Sequence, residues 1–303
     1  MHDPIPRRQF LAATAAVLTA NALPAAEDLK PAKTPNGFKK AVKVYMVQEP
    51  SAKTLLEKFQ LLRDLGFDGI ELDAPSNLKV DEVLAAKEKT GLEIPGVVDS
   101  VHWGDTLSHP DAKVRARGVK GLEKALDDAK AYGGTTVLLV PAVVNKQVSY
   151  DEAWKRSIVE IKKVLPKCEK LGVKIAIENV WNNFLLSPLE MAHYIDEFKS
   201  EHIGVHFDVG NIVLYGWPEQ WIRVLGKRIF KLDIKEYSRK RCDNEGRGKG
   251  FDVPLLKGDC DWPAVMKALK EIGYVGWGAA EIAGGNREYL AGVARDMNTI
   301  FGY

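Results

Sequence analysis

Residues 135–178 read TTVLLVPAVVNKQVSYDEAWKRSIVEIKKVLPKCEKLGVKIAIE. The run at 135–141 is β-branched and apolar, the composition of a buried strand. Trp154, Ile158, Ile161, Val164, Leu165, Cys168 and Leu171 then recur at spacings of three and four, which lines them along one face of a helix. Gly172 can end that helix in a left-handed cap, and the chain re-enters an apolar run at 173–178. The order is strand, helix, glycine, strand.

The same alternation extends in both directions. Further strand-like runs lie at 41–47, 69–73, 93–99, 203–208, 229–235 and 276–281, which makes about eight in all. Leu55, Leu56, Phe59, Leu62 and Leu65 form a second helical stripe, and Trp262, Val265, Met266, Leu269 and Ile272 a third. Gly66, Gly91, Gly133 and Gly273 stand, like Gly172, between a helix and the next strand. Eight strand–helix repeats in roughly 260 residues predict an α/β fold, a single (β/α)8 TIM barrel over 41–303. The competing architecture, a doubly wound open sheet, normally carries a glycine-rich phosphate loop after its first strand. Here Val47 is followed by Gln48-Glu49-Pro50-Ser51.

The first residues do not fit the repeat. Arg7-Arg8-Gln9-Phe10-Leu11 is a twin-arginine signature, and the apolar run from Phe10 to Ala20 is too short to span a bilayer as a mature helix. Residues 1–26 therefore read as an export signal, with Ala20-Asn21-Ala22 and the Ala25/Ala26 pair as cleavage sites. The mature protein is expected to be periplasmic or secreted, without stable membrane insertion; a retained N-terminal anchor is the alternative. Residues 27–40, with Pro31, Pro35 and Gly37, form an irregular lead-in. The 303 residues carry 43 Lys and Arg against 41 Asp and Glu, a net charge of +2, so no basic field recruits nucleic acid. A small-molecule substrate is expected, and a homo-oligomer is left open. Cys168, Cys242 and Cys260 form no CxxC pair, and their odd number leaves at least one unpaired within the chain.

In such a barrel the loops at the C-terminal ends of the strands converge on the active site. The strand ends carry Glu71 and Asp73 (second), His102 and Trp103 (after the third), Glu178 (fifth), Asp208 (sixth), Asp233 and Lys235 (seventh) and Glu281 (eighth). Each acid alone could cap the helix that follows it, but Glu is a poor N-cap and the pattern repeats four times. Carboxylates gathered in a closed barrel repel one another and lose hydration, unless a divalent cation neutralises them.

The segments Ile177-Glu178-Asn179-Val180-Trp181-Asn182, His206-Phe207-Asp208-Val209-Gly210-Asn211, Asp233-Ile234-Lys235-Glu236-Tyr237-Ser238-Arg239 and Gly258-Asp259-Cys260-Asp261-Trp262 followed by Glu281 carry a resemblance. In this order they resemble the sugar isomerases and epimerases of the xylose isomerase-like barrels, and are close in pattern to the ketose 3-epimerases. The resemblance implies one divalent metal held by Glu178, Asp208, Asp233 and Glu281, and a proton abstraction beside a sugar carbonyl with Glu178 and Glu281 as the acid/base pair. At the third ligand position the family usually has His and this chain has Asp233. All-oxygen ligation favours Mg or Mn over Zn, and calls for a counter-charge from Lys235 or Arg239. The resemblance also makes Arg239 a contact for substrate oxygens, and Asn211 replaces a substrate-binding His.

His102, Trp103, Trp181, Asn211, Lys235 and Arg239 are thus the expected substrate contacts. Trp103, Trp181 and Trp217 follow strands three, five and six, where flat rings can stack on the C–H faces of a sugar. Trp154, Trp221 and Trp262 fit helix packing instead. His206, two residues before Asp208, shares its face and lies deeper in the barrel. Two other functions compete: a lyase or deglycosylating enzyme acting on keto-sugars or keto-glycosides, and a non-catalytic secreted sugar-binding barrel. DNA repair by a related barrel would need a His-rich multi-zinc site and a basic surface, and this chain has six scattered histidines.

Overall fold

Strands this rich in Val, Ile and Leu are covered on both faces, as parallel strands are. In the computed structural model, which describes residues 37–302, eight strands close into a barrel in sequence order. They are β1 (Phe38–Lys43), β2 (Gly69–Ala74), β3 (Gly96–Asp99), β4 (Thr136–Leu139), β5 (Lys174–Glu178), β6 (Ile203–Asp208), β7 (Ile229–Ile234) and β8 (Gly276–Ala280). Every neighbouring pair is parallel, and β1 closes the ring on β8 with Lys40 opposite Gly278. The helices are α1 (Leu55–Asp64), α2 (Val80–Thr90), α3 (Ala112–Tyr132), α4 (Tyr150–Leu171), α5 (Pro188–Asp196), α6 (Gly210–Val213), α7 (Pro218–Leu225), α8 (Arg239–Glu245), α9 (Trp262–Glu271) and α10 (Arg287–Phe301). The export signal and most of the lead-in lie outside the described residues.

The helical stripes face the barrel as the spacing requires. Ile158, Ile161, Val164 and Cys168 of α4 are buried, as are Phe59 and Leu62 of α1 and Val265 and Leu269 of α9. Each large apolar side chain so buried contributes about 1.5–3 kcal/mol relative to exposure. Gly66, Gly91, Gly133, Gly172 and Gly273 all have φ between 65° and 79°, a region that a Cβ disfavours and that turns each helix back toward the sheet. No helix among the described residues is long and apolar enough to cross a membrane.

Two strands differ most from the sequence reading. β1 starts at Phe38, inside the stretch read as lead-in, and ends at Lys43; Val44–Met46 form a 3-10 turn instead of more strand. Lys43 is the reason, because its ammonium is anchored inside the barrel while the chain beyond it leaves the sheet. β3 begins at Gly96 and not at 93, since Pro95 has no N–H to give to a ladder; its carbonyl accepts from Thr135 N–H at 3.1 Å.

Candidate active site

Strands β5 to β8 deliver Glu178, Asp208, Asp233 and Glu281 to one point at the C-terminal mouth. One carboxylate oxygen from each lies within 4.8 Å of all the others. Glu178, Asp208 and Asp233 are buried, and Glu281 is the most accessible of the four. Asp208 is held from both sides. Its backbone exchanges two hydrogen bonds with the Asn179 side chain, at 2.7 and 2.9 Å, and its Oδ1 accepts from Asn211 N–H at 2.9 Å. Asn211 Nδ2 also donates to Glu178 Oε1 at 3.3 Å.

A lysine enters the same cluster. Lys235 Nζ donates to Asp208 Oδ2 at 2.9 Å and to Glu281 Oε2 at 3.0 Å. Gly210 makes room for it: a Cβ there would come within 2.8 Å of Lys235 Cγ. Beneath lies a second charged layer. Lys43 Nζ is 2.6 Å from Glu71 Oε2 and 2.9 Å from Asp233 Oδ1, Lys231 pairs with the other oxygen of Glu71, and His206 Nε2 is 2.9 Å from Asp233 Oδ1. Asp233 Oδ2 is buried with no hydrogen-bond partner.

These contacts set the protonation behaviour. Burial, then the neighbouring charges of Glu281, Asp208 and Asp233, push the Glu178 carboxyl well above the usual carboxylate range. Burial drives Asp208 up to about 7, with Lys235 opposing and Glu281 and Asp233 reinforcing the rise. Asp233 goes the other way: burial would raise it, but His206 and Lys43 more than reverse that. Burial would lower Lys235, yet Asp208, Glu281 and Glu178 hold it well above its ordinary value.

The residues fit a hard divalent cation. Oxygens on opposite sides of one Mg²⁺ stand roughly 4.2 Å apart, comparable with the 4.8 Å envelope of this cluster. Asp233 Oδ2 is a buried acceptor that nothing in the chain satisfies. Charge points the same way: four carboxylates meet at this point, and the ammonium groups that touch them are those of Lys235 and Lys43. A second acidic grouping, Glu71, His206 and Asp233, is already occupied by the side chains of Lys43 and Lys231.

A family model for xylose isomerase-like TIM barrels matches residues 59–298. The chain belongs to this family. L-ribulose-5-phosphate 3-epimerase UlaE from Escherichia coli O1:K1 / APEC is 25% identical over 248 residues, covering 77% of this chain and 84% of the relative. The apo structure of 3-keto-D-glucoside 4-epimerase YcjR from E. coli superposes with a TM-score of 0.72 at 17% identity, covering 88% of this chain and 100% of that one. The IOLI protein, solved with a bound zinc atom, superposes at 0.70 and 18% identity, covering 87% and 98%. At these identities the two structural matches establish the fold.

Within this xylose isomerase-like barrel the other expected contacts are placed unevenly. His102 is buried; its Nδ1 accepts Val140 N–H at 3.2 Å, and burial followed by the Lys43 charge lowers its pKa to about 3, so the ring is neutral. Trp103 is half-exposed and meets His102 edge-on at 5.7 Å. Trp181 Nε1–H donates to Asn211 O at 2.9 Å. Arg239 departs from the expectation that its fork faces substrate oxygens. Its Nε and Nη2 donate to the carbonyls of Val213 and Gly216, at 2.9 and 3.0 Å, and its guanidinium lies 5.5 Å from the Trp217 ring. It therefore ties α8 to the α6–α7 connection, and Lys235 supplies the counter-charge.

Sequence reasoning missed Lys43 and Lys231 and made no use of Asn179. A lysine inside an apolar strand run, as in Ala41-Val42-Lys43-Val44, is the signal that was available. Trp221 and Trp262 pack as expected, and Trp262 Nε1–H also donates to the buried Glu236 at 2.9 Å.

Proposed function

We propose that this protein is a metal-dependent sugar isomerase or epimerase that moves a proton beside a carbonyl. The convergence of Glu178, Asp208, Asp233 and Glu281 at the barrel mouth carries the reading, and the epimerases among its relatives support it. When bound, a divalent ion held by these four carboxylates, Mn or Mg by their chemistry, would polarise the carbonyl and make the neighbouring C–H acidic.

The chain's own residues account for the remaining roles. Glu178 and Glu281 approach from β5 and from the end of β8; one carboxylate takes the carbon-bound proton and the other returns one from the opposite face. Asn211 and Asn179 fix Asp208, while Lys43 and His206 fix Asp233, so two ligands are held in place before substrate arrives. Lys235 offsets the excess negative charge. His102, Trp103 and Trp181 supply a polar tip and flat apolar surfaces for a sugar at the rim.

Incubating the Mn-loaded protein with a panel of ketoses and keto-glycosides in D₂O tests this. Deuterium uptake at carbon with substrate mass otherwise conserved, abolished in Glu178→Gln and Glu281→Gln, is the expected result. No exchange on any sugar refutes the reading. Elimination of a substituent would instead select the lyase reading, which Asn211 favours in that an amide cannot relay a proton as an imidazole does. Residues 1–26 support export by the twin-arginine route, and retention of an Arg7→Lys, Arg8→Lys precursor in the cytoplasm is the corresponding check.

A further inference from the structure

Next to the carboxylates, the loops after β5, β6 and β7 enclose a cavity of about 370 Å³. Asn179 and Asn211, which touch Asp208 and Glu178, form part of its wall. Trp181 links cavity and site: its ring lies 4.7 Å from Phe251, whose own ring is 5.1 Å from Lys235 Nζ. On its cavity side Trp181 carries the guanidinium of Arg247 at 4.2 Å, with Tyr215 5.9 Å away. Leu185, Leu186 and Ile212 complete the apolar part.

We propose that this cavity is a second subsite that holds an aromatic substituent attached to the sugar, such as the aryl aglycone of a keto-glycoside; it rests on the sugar-epimerase reading given above. Three features favour an aryl ring over a phosphate or a second sugar. Arg247 is the one cation in the lining, and its Nη2 already contacts the Tyr215 hydroxyl, whereas a phosphate site gathers several strong donors. The asparagines of the wall are committed elsewhere. Asn179 uses both ends of its amide on the Asp208 backbone, Asn211 Nδ2 is shared between Glu178 and Asn179 O, and Asn183 Nδ2 donates to Val144 O at 3.2 Å. Few hydrogen bonds remain for a polyhydroxylated ring. What remains is flat aromatic and aliphatic surface with a planar guanidinium, a setting for π-stacking. A hole of about 150 Å³ accepts one benzene ring, so the volume suffices.

The subsite is built in advance. Asn183 and Leu185 adopt φ of 59° and 54°; asparagine tolerates this region, but a leucine holds it only where its surroundings enforce it. Here Leu185 N–H is pinned to Tyr150 Oη at 2.8 Å.

The test titrates phenyl β-D-glucopyranoside and methyl β-D-glucopyranoside into the Mn-loaded full chain by calorimetry, with inorganic phosphate as competitor. The phenyl glucoside is expected to bind roughly three- to tenfold more tightly. Tyr215→Ala and Arg247→Ala, both on exposed side chains, are expected to erase that preference and leave the methyl glucoside affinity unchanged. Equal affinities, absence of binding by either probe, a phenyl preference that survives both substitutions, or displacement by millimolar phosphate would each overturn the proposal. Because the ratio is read without turnover, a chain that keeps it yet exchanges no carbon-bound hydrogen rejects the epimerase reading and retains the subsite.

Discussion

The ammonium of Lys235 lies 3.0 Å from Glu281 Oε2, on the side of the carboxylate cluster that opens toward solvent. It also touches Asp208. The chain thus places its own monovalent cation between two of the four groups suited to a divalent one, and the two cations must share those oxygens.

Lys235→Met is therefore expected to tighten Mn²⁺ binding. Mn²⁺ carries two charges, so a unit charge about 5 Å away opposes it by roughly 7 kcal/mol at an effective dielectric of 20; the lysine stem relieves most of this by swinging toward the mouth, and a gain of about ten- to a hundredfold in affinity is predicted by calorimetry. Unchanged or weaker binding would show that Lys235 moves aside freely, or that it helps to assemble the site.

Lys43 bridges Glu71 and Asp233 inside the barrel. Lys43→Met leaves both carboxylates short of a partner, and breaking a buried pair on one side costs about 3–5 kcal/mol. Urea unfolding is expected to show that loss, and Asp233→Asn added to Lys43→Met is expected to recover part of it. Full stability of the single variant would mean that Lys231 and His206 suffice.

Asp99 ends β3 with a buried carboxyl that burial raises to about 7, against one opposing hydrogen bond from Val101 N–H. A folded-state pKa above the unfolded one near 3.9 means that the native state binds the extra proton, so stability falls as pH rises from about 4 through 7. Asp99→Asn is expected to be more stable than the parent at pH 8, by of order 2–4 kcal/mol, with the difference vanishing near pH 4. Melting curves at the two pH values decide it, and a pH-independent difference contradicts the burial argument.

The barrel was legible because its signals are local. The α4 stripe from Trp154 to Leu171 and the glycines at 91, 133 and 172 each declare an element within a few residues. The four carboxylates were legible for a related reason, since each ends a strand and the fold brings strand ends together. The layer beneath them was not. Lys231 pairs with Glu71 across 160 residues of sequence, and no spacing rule marks a contact of that range. Arg239 misled for the opposite reason: its place after β7 matched the family pattern, but the carbonyls of Val213 and Gly216 take its Nε and Nη2 donors. β1 was misread because a strand ending in a buried lysine looks like one that continues through Val44.

The proposed chemistry requires a divalent ion among Glu178, Asp208, Asp233 and Glu281. Calorimetric titration of Mn²⁺ into chelator-treated protein, with elemental analysis of the complex, addresses it most directly. One ion per chain is predicted, accompanied by a rise in melting temperature as bound ion stabilises the native state, and with both effects lost in Asp208→Asn. Absence of saturable binding, or binding indifferent to Asp208→Asn and Glu281→Gln, would contradict it.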